Sequence, residues 1–383
     1  MNEWADGNRI TLLQSGTEFF PALIGKIDAA RSEIHVETYI FKADATGRAI
    51  AAALMRAAGR GVAVHVMVDG FGSQGLDPAL VREMRGAGVR FLVYRRNISP
   101  WTLRRTRLRR LHRKIALIDA AAALVGGINL EDEPEIPRLD YVVLVEGPLV
   151  ARIYPVVKRL WDRVNAAGIG SHYPRARALA LLADRCGSQR AAFVVRDNIL
   201  HRRDIEQHYL TAIAQARDEI LIANAYFLPG RTFRRVLLNA AARGVHVTLL
   251  LQGKVEYVLQ HYATRALYGP FLDAGIAIHE YRQGFLHSKV AVIDRRWATV
   301  GSSNFDPFSL LLAREANVII DDAAFALELR ASLLAAIAGA AQEVQRERWR
   351  DQPWTARCLT RGCYELVRFL AGVSAYGRAR EFS

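Results

Sequence analysis

The segment RRLHRKIALIDAAAALVGGINL, residues 109–130, decides the fold because the chain contains it twice. The second copy is GFLHSKVAVIDRRWATVGSSNF, residues 284–305. When the two histidines are aligned, six polar or glycine positions of the two copies coincide. A single HxK pattern can occur by chance and would carry no such information. Such agreement at identical offsets indicates a duplicated domain. The matched pairs are His112 with His287, Lys114 with Lys289, Asp119 with Asp294, Gly126 with Gly301, Asn129 with Asn304, and Asp140 with Glu315.

The repeat extends beyond this motif. AARSEIHVETYIF from Ala29 matches QARDEILIANAYF from Gln215, and in both copies a helix-like segment ends at Arg-Gly before an alternating apolar strand. We therefore predict an α/β protein of two lobes, each a mostly parallel sheet flanked by helices, related by a pseudo-twofold axis that brings the motifs together. The predicted divisions are 8–165 for lobe one, 166–189 for a linker, 190–350 for lobe two and 351–383 for a basic amphipathic tail.

The bulk composition indicates a globular protein with an anionic partner. The chain has 383 residues, of which 51% are hydrophobic, and a formal net charge of +14. Nucleic acid, anionic lipid and phosphorylated substrates are all anionic partners that this positive charge would attract. The three cysteines form no CxxC pair, which favours reduced thiols in the cytosol. We expect no signal peptide and no membrane-spanning helix, and we interpret SLLAAIAGAA, residues 332–341, as a buried helix.

The motif residues predict phosphate chemistry. Side chains two apart in an extended segment share a face, so His112 projects with Lys114 and His287 with Lys289. Two ammonium groups would repel a divalent cation, and we therefore expect no metal and no cofactor. Lysine donors can instead hold nonbridging phosphate oxygens through a pentacoordinate transition state. One neutral histidine can attack phosphorus while the other, protonated, donates to the leaving oxygen.

Four carboxylates complete the repeated motifs. Asp119 and Asp294 follow the apolar runs at predicted turns, and we interpret them as structural, holding backbone N–H groups of the hairpins. Asp140 and Glu315 suit the role of orienting a histidine through one ring nitrogen.

The candidate substrate-binding residues are Asn129, Asn304, Ser302 and Glu37. The glycine-rich GGIN and GSSN segments present the two asparagines, and Ser302 provides a hydroxyl that the first copy lacks. Glu37 is a charge in an apolar run with alanine in the second copy, so it either lines the site or pairs with an arginine of lobe one. The histidines of the other strands are interpreted as core or sheet-surface residues, namely His35, His65, His246 and His279.

The paired HxKxxxxD motifs resemble the signatures of the phospholipase D superfamily. ETYIFKADATGR, ANAYFLPG and WATVGSSNFDP narrow the resemblance to bacterial cardiolipin synthases, most closely the B type that lacks N-terminal membrane spans. The likeness covers roughly residues 8–350. It adds the motif aspartates to the catalytic set, which becomes His112, Lys114, Asp119, His287, Lys289 and Asp294.

The resemblance implies transfer of a phosphatidyl group between phosphatidylglycerol molecules through a phosphohistidine, with release of glycerol. It implies His112 as nucleophile and His287 as acid, a symmetry that the sequence itself does not break. It also implies a peripheral enzyme on the cytoplasmic face of the bacterial cell membrane. A phospholipase D-type hydrolase, a nuclease of the same superfamily and a binding protein with a vestigial site are alternatives. The acceptor, whether phosphatidylglycerol, phosphatidylethanolamine or glycerol, stays open.

Two basic segments of the chain indicate what kind of partner the protein binds. The run from Ser99 to Lys114 contains six arginines and could press on an anionic bilayer or track a nucleic-acid backbone. The resemblance favours lipid, so we expect a membrane surface, no nucleic acid and a monomer. In the tail, five apolar residues would share one face of a helix, namely Leu359, Cys363, Leu366, Phe369 and Leu370. This apolar face predicts either an interfacial helix or a helix packed on its own lobe.

Overall fold

The computed structural model describes residues 4–95, 109–133, 137–167, 173, 179, 184–197, 201–306 and 312–374. Most of the predicted linker and the basic run before Arg109 lie outside the described residues, as does the tail beyond Ser374.

Strands and helices succeed one another in the same order in both halves of the chain. Lobe one contains β1 (Trp4–Gln14), α1 (Ser15–Ala29), β2 (Glu33–Thr38), α2 (Ala45–Gly59), β3 (Ala63–Asp69), α3 (Pro78–Gly86), β4 (Arg90–Tyr94), β5 (Arg110–Leu111), β6 (Lys114–Ile118), β7 (Ala122–Gly126), β8 (Arg138–Leu139), β9 (Tyr141–Glu146) and α4 (Val150–Ala167). Lobe two contains β10 (Gln189–Arg196), α5 (Asp204–Gln215), β11 (Glu219–Asn224), α6 (Arg231–Ala242), β12 (His246–Gln252), α7 (Val258–Arg265), α8 (Tyr268–Asp273), β13 (Ala277–Tyr281), β14 (Phe285–Leu286), β15 (Lys289–Ile293), β16 (Trp297–Gly301), β17 (Ala313–Asp321) and α9 (Ala323–Ala340). After these come β18 (Ala341–Glu343), α10 (Arg346–Arg350) and α11 (Trp354–Ser374).

Equivalent strands of the two halves follow in the same order from the centre of the sheet to its edges. From β1 outward the strands are β9, β7, β6, β2, β3 and β4, and from β10 outward they are β17, β16, β15, β11, β12 and β13. β1 and β10 are equivalent strands that pair antiparallel and join the halves. An antiparallel pair of equivalent strands is what a twofold axis between the lobes requires. The predicted α/β fold with two duplicated lobes is confirmed.

Each half-sheet is mixed rather than mostly parallel, which corrects one detail of the prediction. β2, β3 and β4 are parallel, as are β11, β12 and β13. The motif strands β6 and β7, and β15 and β16, are antiparallel to each other and to their other neighbours. A parallel pair needs a long crossover connection, whereas these hairpins close through a few residues.

The Arg-Gly pairs end α2 and α6 as predicted. Gly61 and Gly244 have φ angles of 88° and 89°, the left-handed conformation that glycine adopts without strain. The preceding arginine also ties each helix to the one before it, because Arg60 donates to the Ile27 carbonyl at 2.9 Å and Arg243 makes the equivalent bond.

One hydrophobic core is common to both lobes. It contains residues of β6, β7 and β9 in lobe one, of β15, β16 and β17 in lobe two, and of α4 and α9. The outer face of lobe one is covered by α1, α2 and α3, and that of lobe two by α5 to α8 with α11. Because apolar surface from both lobes is buried together, the motif strands are held in one fixed arrangement.

Helix α9 departs from its prediction as a buried helix. Only one face is buried, through residues such as Phe325 and Leu333, while Leu327 and Leu334 are exposed. Among the residues that the structure describes, α9 is also the one helix long and apolar enough to cross a membrane by length and composition, and a single such helix is weak evidence.

Candidate active site

Two short strands cross between the lobes beside the motifs. β5, just before His112, pairs with the start of β17, and β14, just before His287, pairs with β8. The His112 N–H donates to the Arg314 carbonyl at 3.0 Å, and the His287 N–H donates to the Leu139 carbonyl at 2.9 Å. These pairings place each histidine next to the carboxylate of the opposite lobe.

The two histidine–carboxylate pairs are formed across the lobe boundary. His112 Nδ1 lies 3.0 Å from Glu315 Oε1, and His287 Nδ1 lies 2.6 Å from Asp140 Oδ2. The histidine side chains are 16% and 12% exposed, but Glu315 and Asp140 are only 0% and 2% exposed. A carboxylate that accepts the Nδ1 proton leaves the lone pair on Nε2, the atom that can act on a ligand. The contacts that the orienting prediction requires are present.

The motif lysines are buried beside the same groups. Lys114 Nζ lies 3.2 Å from His112 Nε2 and donates to the His112 carbonyl at 2.8 Å. Lys289 Nζ donates to the His287 carbonyl and lies 4.0 Å from Asp140 Oδ2. The two ammonium groups therefore accompany the two imidazoles, as the strand spacing predicts.

The motif aspartates lie at the far ends of the hairpins. Asp119 accepts hydrogen bonds from the backbone N–H groups of Arg31, Ser32 and Glu33 at 2.8, 2.8 and 2.9 Å, and Asp294 makes the same three bonds in lobe two. Both aspartates adopt positive φ in the turn. They are structural, but the N–H groups that they hold enter the neighbouring strand rather than belong to the hairpin. These contacts support the structural interpretation, and the place of the two aspartates in the catalytic set stays a prediction.

The motif asparagines are buried, and no described residue accepts from their amide N–H groups. Asn129 Oδ1 accepts from the Ile40 N–H at 3.3 Å, and Asn304 Oδ1 accepts from none of the described residues. Neither Nδ2 donates to any residue that the structure describes. Asn129 lines a small cavity with His287 and Asp140. Both side chains can thus donate to a ligand, as the substrate-binding prediction requires.

Ser302 has a different partner from the predicted one. It is fully buried, and its hydroxyl donates to Glu315 Oε2 at 2.5 Å. In lobe one the equivalent position is Gly127, where a Cβ atom would lie 2.4 Å from Asp140 Oδ1. The serine therefore supports the longer carboxylate, whereas the shorter carboxylate occupies the space that a serine would need. The residue positions the histidine partner and is not aimed at substrate.

Glu37, the other substrate-binding candidate of lobe one, also has a protein partner. Both of its oxygens accept from the Arg113 guanidinium, with Arg113 Nη2 at 2.7 Å from Oε1, and both side chains are almost fully buried. This is the pairing with an arginine of lobe one that the sequence left open. A buried charge needs such a partner, because desolvation of a lone carboxylate is costly.

The surroundings of Asp140 and Glu315 shift the pKa values of these two carboxyl groups in opposite directions. Burial raises the pKa of Asp140 to about 6, although Lys289 opposes the shift. Burial also acts to raise the pKa of Glu315, but the adjacent His112, Arg196 and Lys114 outweigh it and bring that pKa below its usual value. Glu315 is thus the firmly ionised member of the two.

Burial lowers the pKa of all four basic motif groups. The pKa of Lys114 falls to about 7 and that of Lys289 to about 8. The pKa of His112 is lowered against the attraction of Glu315, whereas that of His287 is lowered well below its usual value by burial with Lys289 and Arg138 nearby. The site holds several groups whose pKa values lie near neutrality, which is typical of acid–base catalysis.

Two site residues escaped the sequence analysis. The Tyr39 ring lies 4.9 Å from the His112 ring, and Lys114 Nζ lies 5.6 Å from its centroid. Arg138 lies beside His287 and makes an ion pair with Glu131 at 3.2 Å. Arg138 could have been found, because it stands two positions before Asp140 in an extended segment and so shares its face. Tyr39 lacks a counterpart in the second copy, so the repeat carried no signal for it.

Glu33, His35 and His65 form a buried cluster away from the motifs. It is the one group of potential metal ligands among the described residues. The two imidazole rings stack with centroids 4.3 Å apart and an interplanar angle of 7°. Parallel rings cannot both direct a lone pair at one ion, and Glu33 already accepts from Lys158 and Tyr154. The burial of both histidines agrees with the interpretation of these residues as core.

Comparison with known proteins follows the same division into lobes. Residues 23–161 and 209–336 match the protein family described as "Cardiolipin synthase, PLD-like domain". Cardiolipin synthase B of Salmonella typhi is 40% identical over 366 residues, covering 92% of this chain and 86% of that protein. Cardiolipin synthase B of Escherichia coli K12 is 40% identical over 357 residues with the same coverage. Cardiolipin synthase A of Proteus mirabilis is 30% identical over 371 residues, covering 94% of this chain and 75% of that protein.

Solved structures share the fold at lower identity. The phosphatidylserine synthase of Haemophilus influenzae superposes with a TM-score of 0.72 at 14% identity, covering 94% of this chain and 93% of that one. The polyphosphate kinase of Porphyromonas gingivalis superposes with a TM-score of 0.61 at 16% identity, covering 96% of this chain and 53% of that one. At such identities the likeness establishes the duplicated fold alone.

Proposed function

This chain belongs to the cardiolipin synthase family of phospholipase D-like proteins, and from that premise we propose that it makes cardiolipin by moving a phosphatidyl group from one phosphatidylglycerol to another. The observation that carries the proposal is the exchanged pairing of His112 with Glu315 and of His287 with Asp140. Two imidazoles held by opposite lobes can act on one phosphorus atom from two sides, which a double displacement requires.

The first half of the reaction cleaves the donor. Nε2 of His112 attacks the phosphodiester of phosphatidylglycerol, and the P–O bond to the glycerol headgroup breaks. The negative charge of the bound phosphodiester offsets the burial of His287 beside Lys289 and Arg138 and favours the protonated ring in the complex. His287 then transfers its Nε2 proton to the leaving oxygen, and glycerol departs. Phosphatidyl-His112 and neutral His287 remain. The assignment of His112 as nucleophile rests on the family resemblance.

The second half forms the product. Neutral His287 takes the proton from a headgroup hydroxyl of a second phosphatidylglycerol, whose oxygen attacks phosphorus and displaces His112. Cardiolipin leaves, and His287 is protonated again for the next donor. Lys114, Lys289 and the amides of Asn129 and Asn304 would hold the nonbridging oxygens in both transition states, supplying positive charge within a water-poor site.

The competing candidates use the same first step. A phospholipase D-type hydrolase would let water open phosphatidyl-His112, and a nuclease would accept a nucleic-acid phosphodiester. Phosphatidylethanolamine or free glycerol could replace the second phosphatidylglycerol as the partner. The acceptor therefore decides the activity, and product analysis separates the candidates.

We expect the purified chain to convert phosphatidylglycerol vesicles into cardiolipin and glycerol in equal amounts, with EDTA present. Lipid products are resolved by mass spectrometry and glycerol by an enzymatic assay. Phosphatidic acid as the main product would instead identify a hydrolase, and cleavage of an oligonucleotide without lipid turnover would identify a nuclease. Adding labelled phosphatidylethanolamine and labelled glycerol to the vesicles shows which acceptor is used.

We further propose that the protein binds the cytoplasmic face of the cell membrane as a peripheral protein, through α11. This helix packs on lobe two through Val367 and Thr360 while Trp354, Leu366 and Phe369 are exposed, the last two by 48% and 66%. The buried contacts therefore support a helix packed on its own lobe, and the exposed apolar side chains support an interfacial helix. Cys363 is an exception in the predicted face, because it packs against the lobe-two core. Exposed apolar groups on a helix with several arginines are typical of an interfacial helix.

Replacing Leu366 and Phe369 with glutamine is expected to weaken binding to phosphatidylglycerol vesicles at least about 10-fold, since each side chain contributes more than about 1 kcal/mol when it enters the acyl region. Vesicle flotation measures the bound fraction. Leu327→Gln on α9 is the matched control, because Leu327 is also 48% exposed and lies outside α11. Equal losses in both variants, or unchanged flotation of the double variant, would remove α11 from the membrane account.

A further inference from the structure

A cavity of about 470 Å³ lies between the lobes, and its lining includes Arg113 of the first motif and Arg314. One wall is α4 of lobe one, and the other is the end of β10 with the start of α5 in lobe two. None of the motif histidines, lysines or asparagines lines it. The cavity beside His287 measures only about 20 Å³, so the interlobe cavity is the larger space by far. Its size falls within the range of sites for small ligands, which often lie between domains.

The lining is strongly basic. Six arginines contribute to it, against two aspartates. Asp204 already pairs with His201 at 2.6 Å. Arg152, Arg159 and Arg163 stand on one stripe of α4, and no residue that the structure describes pairs with any of them. Three exposed guanidinium groups that face one cavity and pair with no described carboxylate repel one another, and an anion between them would relieve that repulsion.

Arg196 provides an independent indication of an anionic ligand. Its side chain is 2% exposed, yet its Nε and Nη2 donate to no described residue. The nearest carboxylate oxygen, Glu315 Oε1, lies 3.5 Å from Nη2, beyond a strong hydrogen bond. Burial lowers the pKa of this guanidinium, although the carboxylates of Glu315, Asp306 and Glu206 oppose the shift. Buried donors without acceptors are costly, so an anion that accepted from Arg196 would be bound firmly.

The remaining lining is apolar and narrows the class of anion. Val156 and Leu160 on α4 face Phe193 and Val195 on β10. A free phosphate would gain nothing from these side chains, and a nucleic-acid strand needs a continuous charged groove with stacking partners. A molecule with a phosphate headgroup and an acyl chain matches both parts of the wall.

We propose that this arginine cavity between α4 and β10 is a second lipid site, which binds an anionic phospholipid through its phosphate apart from the catalytic histidines. The phosphate would accept from Arg196 and from the arginines of α4, and the acyl chains would lie along the apolar wall. Arg196 also lies beside Glu315, the partner of His112, so a bound lipid would be in electrostatic reach of the active site. This site goes beyond the proposed transfer reaction and does not depend on it.

The test uses a full-length His112→Ala/His287→Ala background, in which no lipid can turn over. Soluble dihexanoyl phosphatidylglycerol is titrated by calorimetry, with the zwitterionic dihexanoyl phosphatidylcholine and inorganic phosphate as comparison probes. We expect two phosphatidylglycerol sites per chain. Adding Arg159→Gln and Arg163→Gln should weaken one of them at least about 10-fold and leave the other unchanged, because two charge-assisted contacts are lost.

Arg231→Gln with Arg235→Gln is the matched control. These arginines are exposed, stand at the same i, i+4 spacing on α6, and remove the same charge. The proposal is overturned if the control weakens lipid binding as much as the α4 variant does, or if only one site is found in the background protein. Equal affinity for inorganic phosphate would also overturn the proposal, because it would show a phosphate site without lipid selectivity. Failure of the transfer reaction would appear as absent cardiolipin in the parent protein, a separate readout.

Discussion

Replacing either motif histidine with alanine is expected to reduce cardiolipin formation by about 10⁴-fold or more, because one histidine forms the covalent bond and the other moves the proton in both half-reactions. The folded structure should survive, since the His112 and His287 side chains are partly open and make only one ion pair each within the described residues. Turnover of phosphatidylglycerol and circular dichroism are the two measurements. His246→Asn is the control, because His246 is an exposed strand histidine outside the site.

The same variants separate the two roles when the leaving group is changed. Phosphatidyl-p-nitrophenol loses an anion that needs no proton, so the loss of the general acid should matter little in the first half-reaction. We expect His287→Ala to release nitrophenol in a burst and to trap phosphatidyl-His112 on acid quenching. His112→Ala should do neither. The opposite pattern would reverse the roles while keeping the double displacement, and equal bursts from both variants would contradict a single histidine nucleophile.

Glu315→Gln and Asp140→Asn are each expected to lower kcat by about 10²- to 10³-fold, with a much smaller effect on KM. Each carboxylate holds the Nδ1 proton of the opposite lobe's histidine and stabilises the positive charge that develops on the ring. An amide keeps the shape but loses that charge. A large change in KM with an intact kcat would show that these carboxylates serve binding rather than orientation.

The two carboxylate variants should differ in their pH dependence. Asp140 has a pKa of about 6, so kcat/KM of the parent falls as pH decreases through 6 and this carboxylate is protonated. It falls again as pH rises through about 7 to 8, where Lys114 and Lys289 lose their protons. Asp140→Asn should lack the acidic limb. Glu315→Gln should keep it, because the pKa of Glu315 is lowered. An unchanged acidic limb in Asp140→Asn would assign it to another group.

The interior of each lobe was predictable from local pattern. Period-two apolar runs, Arg-Gly helix ends and a repeat at fixed offsets are encoded within a few residues, and they produced the strands, the helices and the duplication. The lysine beside each histidine was equally predictable, since it depends only on the direction of side chains along one strand. The interpretation of Asp119 and Asp294 as structural came from their position at turns, but the backbone groups that they hold come from another strand that local pattern does not specify.

Partner choice was decided by the tertiary structure. Nothing near His112 in the chain indicates that its carboxylate is Glu315 rather than Asp140, because that exchange is made by β5 on β17 and β14 on β8. Ser302 was predicted to bind substrate, and Glu37 either to line the site or to pair with an arginine of lobe one. Burial gave each a protein partner, since a buried polar group must be satisfied where it lies. The sequence alone therefore determined the repeated groups of the site, namely the histidines, lysines, asparagines and carboxylates, as these follow from strand and turn patterns. Only the packing of one lobe against the other decided which groups meet, because those contacts join residues far apart along the chain.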